Sequence, residues 1–175
     1  TQRSSIVCWD RRTCEPLSPV LSWQDRRARD WLDDLAPDPA MIRERTGLHP
    51  TAHYGASKLR WCLDHLSQVS EARERGNLCC GPLASFLIFR LLDERPLRID
   101  PANAARTLLW NLHGGDWDAD LLDLFGIPAE LLPVCTATRH PFGTTTVGET
   151  AISLQVLTGD QSAAIFGGGQ PEEST

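Results

Sequence analysis

The chain has no apolar stretch near the roughly 18 to 20 residues that a bilayer-crossing helix requires. Its mean hydropathy of -0.26 and 41% hydrophobic residues are those of an ordinary soluble globular protein. It also lacks a basic balance: a net charge of -6 leaves no broad positive face for nucleic acid. Lysine is nearly absent, with Lys58 alone among the many arginines, a bias that genome composition explains as readily as a site does. The six cysteines (Cys8, Cys14, Cys62, Cys79, Cys80, Cys135) include no C-x-x-C pair and no spacing shared with histidine. This argues against a zinc site, and we expect no bound metal. A core-rich chain of 175 residues needs no disulfide framework. Reduced, mostly buried thiols in a cytoplasmic protein are the expected state. The first residues, Thr1-Gln2-Arg3-Ser4-Ser5, carry neither an initiator Met nor an apolar leader, so the chain is read as starting at a cut end.

What is present is enough for one domain with a real core, or two very small ones. Ser5–Trp9 reads as a strand, Asp10–Glu15 as a turn and Pro16–Leu21 as a second extended piece. Helices are expected at Asp25–Leu35, Pro39–Arg45, Ala56–Leu66, Pro82–Leu92, Ala102–Leu109 and Asp118–Phe125, with proline near several ends. The acidic stretch Asp116-Trp117-Asp118-Ala119-Asp120 lacks the glycine and closing glutamate of a calcium loop and is read as helix capping. After Pro133 the sequence becomes loop-like, and Gly143-Thr144-Thr145-Thr146 reads as an ordinary turn. No internal repeat is present.

The segment Leu157-Thr158-Gly159-Asp160-Gln161-Ser162-Ala163-Ala164 follows an apolar, partly alternating run (Ile152, Leu154, Val156). It reads as strand, glycine turn and helix start, with a carboxylate at the turn. In open α/β sheets, ligands bind outside the carboxyl ends of strands. A carboxylate there can take a proton from an attacking hydroxyl, or it can cap the helix.

Several motifs occur in one order: Gln2-Arg3, Trp23-Gln24-Asp25-Arg26-Arg27, Thr46-Gly47-Leu48, Ser57-Lys58-Leu59-Arg60-Trp61, Asn103-Ala104-Ala105-Arg106-Thr107-Leu108-Leu109-Trp110-Asn111, Asp116-Trp117-Asp118, Phe125-Gly126-Ile127-Pro128, Leu132-Pro133 and Gly159-Asp160-Gln161-Ser162-Ala163-Ala164. The series resembles the N-terminal, sugar-binding domain of the FGGY carbohydrate kinases, in the glycerol-kinase-like branch, over essentially the whole chain. The resemblance implies an α/β, ribonuclease-H-like and actin-like ATPase fold, here a partial N-terminal domain with a helical insertion.

It further implies transfer of the ATP γ-phosphate to a hydroxyl of a sugar or polyol, with Mg2+ in the full-length protein. By that resemblance Asp160 is the general base, also serving the cap, and Gln161 faces the substrate. Arg3 donates hydrogen bonds to substrate hydroxyls, where a planar fork can hold two oxygens. Trp23 lies against the carbon face of the sugar, although a core position is also open to a tryptophan. Asp25, Arg26 and Arg27 are assigned a helix-start and surface role.

Two positions depart from the pattern. Ser4 stands where glycerol kinases have glutamate, and His53 stands where they have a substrate-facing tyrosine, with Tyr54 one residue away. Loss of an acceptor for two hydroxyls points away from glycerol toward another polyol or a ketose. His53 near a carboxylate would titrate close to neutrality. The family's first strand and phosphate loop are expected upstream of residue 1, and the ATP-binding domain downstream of residue 175. No nucleotide-binding residue is therefore expected in the chain itself, which should be inactive alone. A homodimer is possible for the full-length form, with no nucleic-acid or membrane partner. The other reading is a non-catalytic carbohydrate-binding or regulatory module on the same fold.

Overall fold

Strand β1 (Ile6–Asp10) is buried along its whole length, and the rest of the chain is arranged around it. The computed structural model describes residues 1–167 and 169. β1 pairs antiparallel with β2 (Leu78–Pro82), placing Cys8 opposite Cys80. Alternation sends Ile6, Cys8, Leu78 and Cys80 into one core and Val7, Trp9 and Cys79 into another. Helix α3 (Gly55–His65) covers the first face with Leu59, Cys62 and Leu63, while α5 (Leu83–Leu91) covers the second with Phe86 and Phe89. Burial on both faces is why β1 reads as a continuous apolar run rather than an alternating one. All six cysteines are free thiols, five of them buried.

Between the paired strands lie α1 (Arg29–Leu35), α2 (Pro39–Thr46), α3 and α4 (Ser67–Glu74), which form the helical insertion. The helix expected from Asp25 begins only at Arg29. The Asp25 carboxylate accepts the Arg27 backbone N–H at 3.0 Å and pairs with its guanidinium at 2.8 Å, so these residues form a side-chain-closed turn. Helix α2 starts as expected, with Asp38 accepting from Ala40 N at 2.9 Å and Pro39 at the first helical position. The expected helix Ala102–Leu109 is one short turn, α6 (Pro101–Ala104). Thr107 Oγ1 returns to Ala104 O at 2.7 Å and Leu108 takes φ 67°, ending the helix. Neither β2 nor α4 is signalled in the sequence. Leu-Cys-Cys-Gly-Pro carries turn residues, and pairing with β1 overrides them.

Two parallel residues of β3 (Arg98–Ile99) and β6 (Val134–Cys135), and the small pair β4 (Trp110–Asn111) with β5 (Asp116–Trp117), complete the middle of the chain. Asp118 caps α7 (Ala119–Phe125) by accepting from Asp120 N and Leu121 N at 3.1 Å, and it also binds Arg45 and Asn111. Capping is thus its role, as the acidic spacing suggested. The threonine run is not a turn: Gly143–Thr146 lies inside β7 (Arg139–Val147), paired with β8 (Thr150–Val156), and the reversal falls at Gly148 instead. Threonine suits a strand because it is β-branched, and Gly143 sits at a register irregularity where a bulge tolerates it. The strand, Gly159 turn and helix α8 (Asp160–Gly167) follow as expected.

Candidate active site

Five separate segments open onto a cavity of about 310 Å³ lined by Gln2, Arg3, Ser4, Trp23, His53, Arg106, Asp160 and Gln161. Residue 1 and the turn at 158–160 meet there through the backbone. Asp160 N donates to Thr1 O at 2.9 Å, and Thr1 N donates to Thr158 O at 3.2 Å. The Arg3 guanidinium donates to Gln161 Oε1, crossing the turn at Gly159. A Cβ at residue 159 would collide with the Arg3 methylenes, so glycine is needed there for close approach. Ser4 adopts φ 62°, a left-handed conformation that L-residues with a side chain seldom take, and its buried Oγ has no partner. Strain of this kind concentrates at ligand sites.

One buried group ties the wall together from behind. Lys58, on α3, is fully buried and its ammonium donates to Ser4 O at 2.7 Å, His53 O at 2.8 Å and Ser22 O at 3.0 Å. Each acceptor belongs to a cavity-lining residue or, for Ser22, to the neighbour of Trp23. Burial pulls the Lys58 ammonium down to about 8, with the charge of Asp25 opposing. The sequence placed Lys58 in the Ser57–Trp61 motif as the chain's one lysine but assigned it no role.

Trp23 is 41% exposed, which rules out the core position for it. Its ring lies 5.7 Å from that of His53. His53 is not beside a carboxylate. Burial first, then the positive charges of Arg106, Lys58 and Arg26, hold its pKa below the ordinary histidine value, so the ring is neutral at physiological pH. Tyr54 does not line the cavity. It stands edge-on to His53 at 5.0 Å and lies beneath the Arg106 guanidinium, 4.8 Å from the ring centroid. Arg106 and Gln2 do line it and were not assigned there from the sequence, although Arg106 lies within the Asn103–Asn111 motif.

Asp160 is exposed at the first residue of α8, and its Oδ1 accepts from Gln161 N at 2.9 Å. Ala163 N reaches Gly159 O at 2.9 Å, which places the cap at Gly159 rather than at the aspartate. The carboxylate is therefore free of the capping duty expected for it, and among the described residues it is the only carboxylate lining the cavity. Among the described residues no group of three or more His, Cys, Asp or Glu side chains could hold a metal ion. None of their helices is long and apolar enough to cross a membrane.

Residues 1–169 match the N-terminal domain of the FGGY family of carbohydrate kinases. The chain belongs to this family. Over 172 residues it is 42% identical to a glycerol kinase of Alkalilimnicola ehrlichii and 40% identical to one of a Geobacter species, covering 96% of this chain and 35% of each relative. The crystal structure of Plasmodium falciparum glycerol kinase with ADP superimposes with a TM-score of 0.87 at 25% identity, over 95% of this chain and 34% of that one. A xylulose kinase from Rhodospirillum rubrum gives 0.78 at 24% identity, over 96% and 35%. The FGGY chain thus has the α/β, actin-like fold of these kinases and spans about a third of the length of the curated relatives it matches.

Proposed function

We propose that this FGGY domain forms the acceptor-binding part of an ATP-dependent sugar or polyol kinase, with Asp160 as general base. The observation that carries this reading is the convergence of Arg3, Ser4, Trp23, His53, Asp160 and Gln161 from distant segments on one cavity, with Asp160 its single lining carboxylate among the described residues. A cavity of about 310 Å³ is at the small end of the range for ligand sites and suits a small substrate.

In the proposed reaction the acceptor hydroxyl attacks the γ-phosphorus, a new O–P bond forms, and the bridging oxygen leaves with its electron pair on ADP. ATP would supply the phosphoryl group and Mg2+, when bound, would offset its charge; among the described residues no group of three or more His, Cys, Asp or Glu could hold that ion, and their part is confined to the acceptor. Asp160 receives the hydroxyl proton, with Oδ1 steadied by the Gln161 N–H. Arg3, aligned by Gln161, donates to neighbouring hydroxyls. Trp23 presents a half-exposed apolar face to the carbon skeleton, and neutral His53 can donate or accept. Ser4 supplies no carboxylate where one would hold glycerol, so glycerol is not the favoured acceptor. Tyr54 acts indirectly, by supporting His53 and Arg106.

The test is Asp160→Asn in the full-length protein. The expected result is a fall in kcat of roughly 10²- to 10⁴-fold with substrate Kd nearly unchanged. Equal losses in rate and binding would remove the general-base role, and wild-type protein that binds sugars without phosphorylating any would favour a binding module.

A further inference from the structure

Asp100 is a fully buried carboxylate that the proposed reaction leaves unused. Among the described residues no cation pairs with it, and burial raises its pKa above the ordinary carboxylate value. Burying an unpaired charge is costly. Capping the one-turn helix α6 does not account for that cost, because a neutral Ser or Asn caps as well. What a carboxylate adds is a second acceptor oxygen. Asp100 Oδ2 accepts from Ala102 N at 3.0 Å, and Oδ1 accepts from Asn103 Nδ2 at 2.6 Å. A carboxylate with both oxygens accepting fixes the orientation of the buried Asn103 amide, whose oxygen must face the other way. That oxygen meets the Thr1 hydroxyl at 3.5 Å, and Thr1 O in turn accepts from Asp160 N at 2.9 Å. A chain of polar groups, each with its donor and acceptor sense set by the one before, thus runs from a buried charge to the backbone of the proposed base. The same stretch holds the turn at a second point: Leu157 is buried in one cluster with Ile99 and Ala104. It also reaches the opposite wall, since Arg106 N donates to Asn103 O at 3.1 Å and Ala56 N donates to Thr107 O at 2.7 Å.

We propose that Asp100, acting through Asn103 and Thr1, is a positioning residue that sets the Asp160 carboxylate relative to the acceptor. It touches no substrate and takes no proton. This rests on the general-base reading above and adds what places the base. Such support is needed because α8 buries none of its side chains and cannot fix Asp160 by packing. A misplacement of about 1 Å at a reacting group can cost up to about 10²-fold in rate.

The experiment is a double-mutant cycle in the full-length protein. Turnover is read by ADP release with the best acceptor among glycerol, xylitol, D-glucitol, D-xylulose and D-gluconate. Asn103→Ala should lower kcat about tenfold, with KM for the acceptor within about twofold of wild type. In an Asp160→Asn background the same change should lower kcat by less than about twofold, because the group it positions is already gone. Asp100→Asn, which exchanges an acceptor oxygen for a donor, should match Asn103→Ala in rate. Thr1 is exposed, so Thr1→Val tests the link without opening the core, even where the buried variants do not fold. It should reproduce the loss in kcat, and Thr1→Ser, which keeps the hydroxyl, should recover most of it. A thermal melt of each variant shows which are folded. An equal loss of kcat in both backgrounds, a loss expressed in KM instead of kcat, or wild-type kcat in Thr1→Val would each overturn the positioning role while leaving Asp160 as the base. Undiminished kcat in Asp160→Asn, or no turnover of any acceptor by the wild type, would remove the general-base reading and this proposal together.

Discussion

The two walls of the cavity are built in opposite ways. The wall of Ser4, Trp23 and His53 stands against α3, and a buried ammonium grips three of its backbone carbonyls. The wall of Asp160 and Gln161 stands at the end of a largely exposed hairpin, on a helix that buries none of its side chains. Its main attachments are two backbone hydrogen bonds with Thr1, the Arg3–Gln161 contact and the buried Leu157 just before the turn. Phosphoryl transfer requires the acceptor to be oriented before its proton is taken. In the proposed kinase, orientation is therefore the work of the first wall and proton transfer that of the second. Substitutions in the two walls should consequently fail in different observables.

The largest effect is expected on the second wall: Asp160→Asn should cost kcat its roughly 10²- to 10⁴-fold with no change in Tm, since the side chain is exposed. On the first wall the order reverses. Lys58→Met keeps the apolar stem but takes the ammonium donor from the carbonyls of Ser4 and His53, while Ser22 O keeps the Asp25 N–H, which should cost on the order of 3 kcal/mol of stability. Urea unfolding of the full-length protein measures this. KM for the acceptor should rise while kcat at saturation changes little. A Lys58→Met protein with wild-type stability and wild-type KM would show that this wall does not depend on its ammonium.

Gly159→Ala probes the point where the walls touch. The added methyl would fall on the Arg3 methylenes, and the flexible arginine, not the backbone, should yield. Losing the placement of one charged donor predicts roughly a tenfold rise in KM with Tm unchanged. A drop in Tm without a change in KM would instead mean that the glycine serves the turn and not the arginine.

Asp160 and the strand–turn–helix around it were legible because local signals agree there: an apolar run, a glycine and small helix formers. The placement of Trp23, His53 and Arg3 on one cavity was legible only through their order in a family pattern, because nothing local tells a cavity-lining tryptophan from a core one. The threonine run misled because its composition suits both a turn and a strand, and only the pairing of Thr145 with Ile152 decides. Helix α6 stops early because Thr107 turns its hydroxyl back on Ala104, a contact that spacing alone does not reveal. Lys58 and Arg106 were visible as residues, but their roles depend on carbonyls and rings brought from other segments. What was illegible was mainly the partner of each polar group, which the tertiary fold supplies.

The smallest predicted effect is a pH slope confined to the first wall. Burial draws Lys58 from 10.5 to about 8, with Asp25 opposing. Because the folded value lies below the unfolded one, the unfolded chain holds this proton between those limits and the folded chain does not. The contribution of Lys58 to stability is therefore flat below about 8 and rises with pH up to 10.5. Lys58→Met removes that slope, so the stability difference between wild type and variant should be larger at about pH 9.5 than at about pH 7.5. His53, with its pKa already lowered, is neutral throughout that window and adds no slope of its own. A difference that stays constant with pH would mean that the three carbonyls keep the ammonium charged against its burial. The first wall would then be held by a fixed charge across the whole range, and the contrast between the walls would be sharper still.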